Sequence, residues 1–277
     1  MQPAALVLSE NPFTAKPVIE RIFPSTSDFE NLTRFHTEES LEANLFDYSN
    51  LVGQNPWGYE FVWYQNSSVA VWNFHLKVGS ATSLNYNVRE RTSLILLAGK
   101  VVCSTFCDTR HILSVGKGLV IEHCVFQSTQ PTSADSAFLM GVKTPPLKGD
   151  LLRYCDNFGR AGKACEGEKQ HSTGFDEFYY RSFSRVAHNG LPVDFLNVPI
   201  HFSSFRSQQD FVRSLLADTV VIPFLGRIAF GREVIADIGQ ALPGSEIPLK
   251  DCPAAIAPIE LLQIASSSDK KLNTLLY

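Results

Sequence analysis

The feature that most constrains this chain is the run of short apolar segments that begins after Gly58, each closed by turn residues. FVWYQ, VAVWNFHLKV, TSLILLAGKVVCSTF, HILSV, LVIEHCVFQ and AFLMGV are separated by NSS, GSAT, CDTR, GKG and TQPTSAD. β-Branched and aromatic runs of this length, without a helical period, specify antiparallel strands in a sandwich or barrel. Leu94 to Leu97 is apolar at consecutive positions, so both faces of that strand are expected to lie between sheets. The fold class read from this pattern is all-β.

The pattern also repeats. TSLILLAGKV from Thr92 lies over TVVIPFLGRI from Thr219, an offset of 127 residues. A few residues later Leu113-Ser-Val-Gly116 lies over Ala236-Asp-Ile-Gly239 at a slightly shorter offset. Two matches in the same order, with strands on either side, point to duplication. The 277 residues then divide into an arm (1–50), a first unit (51–150), a polar, glycine-rich connector (151–177) and a second, degenerate unit (178–277). Ser27 and Glu30 have capping-box spacing, which predicts a helix over 28–36 in the arm. Leu41 and Leu45 give one stripe to a second short helix over 38–46.

Composition removes whole classes of function. Hydrophobic residues make up 44% and charged residues 19%, so a sizeable core can form. Twenty-four Lys and Arg against 28 Asp and Glu leave no concentrated positive charge for nucleic acid or an anionic membrane. The N-terminus has no basic region, the apolar run Ala4–Leu8 is too short for a signal core, and no stretch approaches the roughly 20 apolar residues of a membrane span. Of the six cysteines, neither Cys103/Cys107 nor Cys155/Cys165 has zinc-knuckle spacing, so the thiols are expected to be unpaired in a reducing cytoplasm. No GxSxG, Walker loop, GxGxxG or HExxH occurs.

One segment has a defined frame. From Gly79, five residues lead to Asn85-Tyr-Asn87, four more to Thr92, and six more to Gly99. A second stretch, Gly116-Lys-Gly-Leu-Val-Ile-Glu-His-Cys-Val-Phe-Gln127, follows. These resemble the two motifs of the cupin superfamily, in which the corresponding positions are HxH, Glu and a last His. Asn55-Pro-Trp-Gly-Tyr-Glu60, Lys143-Thr-Pro-Pro and the segment Gly149–Arg160 resemble parts of cupins related to mannose-6-phosphate isomerase. The resemblance spans about residues 55–168. With the duplication, it implies two jelly-roll barrels, a bicupin, behind a short helical N-terminal arm.

The family holds a divalent metal at those four positions. Here they read Asn85, Asn87, Thr92 and Gln127, neutral groups that are weak ligands for Zn, Fe or Mn. The second unit has Thr219 in the glutamate slot and Val212 and Ser214 in the histidine slots. No metal and no cofactor is expected. Amides donate and accept at once, which suits a hydroxyl-rich small molecule, and the aromatics Tyr59, Trp63 and Trp72 suit the apolar faces of sugars. The alternative is that the four polar groups bond one another or trapped water. Arg89, with Arg91, either meets an anion at the barrel mouth or forms a solvated cluster with Glu90.

Three residues are candidates for proton transfer: His75, Tyr86 and Glu60. His75 shares an alternating row with Asn73 and Lys77, where a strand histidine satisfied by neighbouring backbone is the alternative. His111, His123 and His201 suggest no role. Two functions follow. One is a bicupin without its metal site that serves as a small-molecule (carbohydrate-like) binding, accessory or structural protein. The other is a metal-independent sugar isomerase or epimerase. Exposed strands that pair two chains into a homodimer would give a third, purely structural use.

Overall fold

The computed structural model describes residues 18–35, 48, 51–106, 109–132, 134, 136–155, 157–161, 171–172, 193–195, 198–205, 219–230, 232–247, 254–255 and 259–265. The first half contributes β1 (Val18–Ile22), α1 (Thr26–Phe35), β2 (Val52–Asn55), β3 (Gly58–Gln65), β4 (Ala70–Leu76), β5 (Leu84–Asn87) and β6 (Arg91–Ala98). It continues with β7 (Lys100–Thr105), β8 (Arg110–Ser114), β9 (Lys117–Ile121), β10 (Gln127–Pro131), β11 (Ala137–Thr144), β12 (Leu151–Cys155) and β13 (His171–Ser172). The second half contributes β14 (Val193–Phe195), β15 (Val198–Phe205), β16 (Thr219–Leu225), β17 (Ile228–Phe230), β18 (Glu233–Ala236), β19 (Leu242–Pro243), β20 (Ala254–Ala255) and β21 (Ile259–Ala265). The chain is mostly β, with one α-helix among the described residues.

Four sheets result. A large sheet runs β1-β9-β6-β11-β4-β3-β2-β13 and faces a small sheet, β12-β5-β10-β7-β8. The second half forms β14-β15-β21-β16-β19 and β18-β17-β20. None of them closes on itself. The alternation of side chains puts two different cores on the two faces of the large sheet. Leu94, Leu96, Leu119 and Leu139 point toward the small sheet, where they meet Val101, Cys103 and Leu113. Ile95, Leu97, Val120 and Met140 point the other way, against Ile200, Val220, Ile222, Phe224, Leu262 and Ile264 of the second half. The apolar run Leu94–Leu97 is thus buried on both faces, as its sequence predicts.

The strand orders of the two halves correspond. β9-β6-β11-β4-β3 in the large sheet is matched by β19-β16-β21-β15-β14, and β10-β7-β8 by β20-β17-β18. Gly99 and its counterpart Gly226 turn the chain between sheets at φ 83° and 77°, a conformation that favours glycine. The amide of Gly116 donates to the Leu96 carbonyl at 3.2 Å, and that of Gly239 to the Pro223 carbonyl at 2.7 Å. Positions 96 and 223 are separated by the same 127 residues as the sequence match.

Three sequence expectations need correction. The helix begins earlier than predicted, because its capping box is built on Ser25 and Asp28 rather than Ser27 and Glu30. Ser25 Oγ donates to Asp28 Oδ2 at 2.6 Å, and the Asp28 amide donates back to Ser25 Oγ at 3.2 Å. The arm also supplies a strand, β1, which pairs in parallel with β9 from Val18↔Lys117 to Ile22↔Ile121. The stretch read as a connector continues the first unit: β12 borders the small sheet and β13 borders the large one. The expected helix over 38–46 lies outside the described residues, as does the segment EFYYRSFSRV of the second unit.

Candidate functional site

Between the large and small sheets lies a cavity of about 90 Å³. A single water needs roughly 10–15 Å³, so the space takes several waters or a small ligand. The four positions of the sequence motif converge on it. Asn85 and Asn87 reach it from β5, Thr92 from β6 and Gln127 from β10. Apolar side chains, among them Trp57, Phe74, Leu94, Ile121 and Leu139, form the rest of the wall.

The hydrogen bonds among the polar groups are partly closed. Gln127 Nε2 donates to Asn85 Oδ1 at 3.1 Å, and Asn85 Nδ2 donates to the Ser83 carbonyl at 2.8 Å. Gln127 Oε1 accepts from Thr129 Oγ1 at 3.3 Å. Asn87 Oδ1 is buried without a hydrogen-bond partner among the described residues. An unpaired buried acceptor costs free energy unless a ligand or water meets it. These side chains therefore do not fully satisfy one another.

Charged groups complete the wall, and sequence reasoning passed over most of them. Lys148 Nζ donates to Glu60 Oε1 at 2.7 Å and lies 3.9 Å from the centre of the Trp72 ring. Lys143 Nζ donates to Glu90 Oε1 at 2.6 Å. Burial pushes the Glu60 carboxyl up, but Lys148, Lys143 and Asn55 together bring it below the usual carboxylate range. At Glu90 burial outweighs the pull of Lys143, and its carboxyl stays above that range. Arg153 faces the cavity directly across from Asn85. The available signal was period-two phase. Lys143 follows Ala137, Leu139 and Gly141 on the inward row of β11, and Arg153 alternates with the outward Leu152 of β12.

The other sequence candidates are placed elsewhere. Tyr59 and Trp63 turn outward from β3 into the core shared with the second half. Trp72 packs with Tyr48, Val62 and Ala70 in a satellite cluster beneath Lys148. Arg89 grips Asp150 from the side, Nε to Oδ1 at 3.2 Å, and its side chain is 48% exposed. Glu90 is 1% exposed, so it is no part of a solvated cluster. Tyr86 packs with Phe126 and Leu152 on the far face of the small sheet. Of the three proton-transfer candidates, Glu60 alone lines the cavity.

His75 is on the outer face of the large sheet. Its ring lies 4.6 Å from Tyr59 and 4.6 Å from Phe138, and its Nδ1 has no hydrogen-bond partner among the described residues. It is a ring packed among rings, not one satisfied by backbone. Burial, with the like charge of Lys77, lowers its pKa from the ordinary 6.5 to about 4. Between those values the unfolded chain takes up a proton that the folded ring refuses, so stability is lost as the pH falls from 6.5 to about 4. His75→Phe is expected to flatten that limb in urea titrations run across the window. A variant that keeps the wild-type slope would show that His75 does not cause it.

The residues do not fit the divalent metal that the motif resemblance implies. The amide oxygens of Asn85 and Gln127 already accept hydrogen bonds, and the ionisable groups on the cavity wall include three cations. Among the described residues, no three His, Cys, Asp or Glu side chains are grouped to hold a metal ion. Burial pushes the Cys103 thiol up to about 11, which keeps it protonated beside Gln127. No described helix is long and apolar enough to cross a membrane.

No protein-family model matches the sequence, and no curated protein matches it. The chain is similar to solved structures. One is an uncharacterized conserved protein with a double-stranded β-helix domain from Klebsiella pneumoniae, with TM-score 0.34, 11% identity, and 40% of this chain and 97% of that chain covered. KdgF from Halomonas sp. gives TM-score 0.30 at 12% identity over 33% of this chain and 82% of that chain. The capsular polysaccharide assembling protein CapF from Staphylococcus aureus gives TM-score 0.34 at 12% identity over 37% of this chain and 33% of that one.

Proposed function

We propose that the chain is a bicupin whose first barrel binds a small, hydroxyl-rich ligand without a metal, the second being a reduced copy that supports it. One observation carries the reading: Asn85, Asn87, Thr92 and Gln127 line one cavity of about 90 Å³, and the side-chain Oδ1 of Asn87 is left without a protein partner among the described residues. A site retired into the core would be filled by side chains to the density of the rest of the interior. Amides and hydroxyls in a half-apolar cavity suit a carbohydrate-like molecule, whose hydroxyls both donate and accept.

Elemental analysis of protein purified without chelator tests the absence of a metal. The expected result is well under one equivalent of Fe, Mn or Zn per chain. One full equivalent, lost together with ligand binding on chelation, would overturn the reading.

A further inference from the structure

The loop between β9 and β10, residues 122–126, joins two residues of the cavity wall, Ile121 and Gln127. Its middle hooks a third, Asn87. The Cys124 amide donates to the Asn87 carbonyl at 2.7 Å, and Cys124 Sγ donates to the Val88 carbonyl at 3.5 Å. The loop and the turn from β5 to β6 thereby close that end of the space between the sheets.

The arm holds both ends of this loop. β1 holds the first: the Glu122 amide donates to the Ile22 carbonyl at 3.0 Å, and Arg21 Nε donates to Glu122 Oε1 at 2.7 Å. α1 holds the second: the Phe126 amide donates to Asp28 Oδ1 at 3.1 Å, and Leu32 packs on the cluster of Tyr86, Phe126 and Leu152.

The two grips are unequal. β1 is paired along its length with β9. Among the described side chains of α1, Asp28 and Asn31 are buried, Leu32 is half-buried and Phe29 is 52% exposed. A helix of ten residues is marginal by itself, and this one has little apolar contact to keep it in place. The cluster on which it sits also carries an unmet cost. Tyr86 is 2% exposed, and its hydroxyl has no hydrogen-bond partner among the described residues. Water reaching the cluster would meet that hydroxyl. Elements with few buried apolar contacts are the ones that open locally.

We propose that α1 is a lid on the cavity: docked through Asp28 it keeps Asn87 and Gln127 in line, and lifted, with β1 as its anchor, it frees the 122–126 loop and admits the ligand. This rests on the ligand-binding reading above and adds the entrance to it.

The test is amide hydrogen exchange of the full chain, read by mass spectrometry, with iodoacetamide labelling of its own thiols as the second readout. In Asp28→Ala, exchange over residues 26–35, 84–88 and 122–128 is expected to rise about tenfold or more, while β6, β11 and β16 keep the wild-type rate. Cys103 is fully buried with its Sγ 3.8 Å from Gln127 Oε1, so opening at Gln127 should speed its labelling by a similar factor. Asp28→Asn, which can still accept from the Phe126 amide, should recover most of the protection. Leu32→Ala, which leaves the Asp28 grip intact, serves as the second variant and should give a smaller rise over the same three segments. A rise confined to α1 would show that the helix holds nothing of the cavity. A rise shared equally with β6, β11 and β16 would show that α1 leaves only with the whole fold. Either result would overturn the lid and leave the ligand-binding reading standing.

Discussion

Replacing Lys143 by methionine is expected to cost about 3–5 kcal/mol of stability at neutral pH, because it leaves a buried carboxylate without its partner. Methionine fills nearly the same volume, so packing contributes little to the loss. Lys143 and Glu90 are 2.6 Å apart with side chains 6% and 0% exposed, and among the described residues the only other hydrogen bond to the Glu90 carboxylate is from the Leu147 amide at 3.2 Å. The carboxyl of Glu90 already lies above the usual range, since burial raises it more than Lys143 lowers it. Without the lysine it rises further. A carboxyl raised by folding holds its proton more tightly in the folded chain, so its stabilising effect is present at low pH and lost as the pH climbs. The deficit of Lys143→Met relative to wild type should therefore shrink on acidification. Lys143 also helps to hold the Glu60 carboxyl low, so the variant has less of that stabilisation to lose in acid, and the deficit shrinks in the same direction. Urea melts of both proteins at several pH values check this. Adding Glu90→Gln should recover most of the loss, because glutamine can still accept from Leu147. A loss under 1 kcal/mol at every pH would mean that the pair is hydrated and not buried.

What the sequence revealed and what it concealed have a common cause. Strands β6, β7 and β16 were legible because period, turn glycines and the 127-residue offset are local signals. The convergence of Asn85, Asn87, Thr92 and Gln127 was legible through motif spacing. Facing was not. Tyr59 and Glu60 are adjacent, so one must point to each side of the sheet, and nothing in β3 alone says which side holds the cavity. Tyr59 and Trp63, expected at the ligand, belong instead to the core between the two halves, and Trp72 packs beneath Lys148. Strand β1 was illegible for another reason. Its pairing with β9 rests on backbone hydrogen bonds across about a hundred residues, and VIERI, mostly exposed and with Glu20 and Arg21 at its centre, carries no core pattern. The cations of the cavity were hidden by the ordinary rule that charge means surface. Arg153 sits in a segment whose glycines and charges read as a linker, yet two residues of alternation, Leu152 out and Arg153 in, make it a wall.

The same facing argument predicts the fate of half the chain. A protein ending at residue 177 is expected to give no soluble monomer. Its large sheet would present Phe61, Trp63, Val71, Ile95, Leu97 and Met140 to water, all of them now buried against the second half. A contiguous apolar face of that kind exceeds what soluble monomers tolerate, and it invites association. Each such side chain contributes about 1.5–3 kcal/mol when buried, so the loss exceeds the marginal stability of a domain this size. The contact is also polar and specific: Ser93 Oγ donates to the Gly239 carbonyl at 2.6 Å and accepts from the Ala241 amide at 3.0 Å. Because one core serves both halves, the full chain should melt in a single transition. Phe224, fully buried and stacked on Tyr64 at 5.4 Å, is the probe within the intact protein. Phe224→Ala is expected to lower the stability by about 3–5 kcal/mol while keeping that transition single. A soluble, cooperatively melting fragment 1–177, or two resolved transitions in the Phe224 variant, would show instead that the halves are independent domains. The second half would then be an addition to the cavity-bearing unit and not part of its structure.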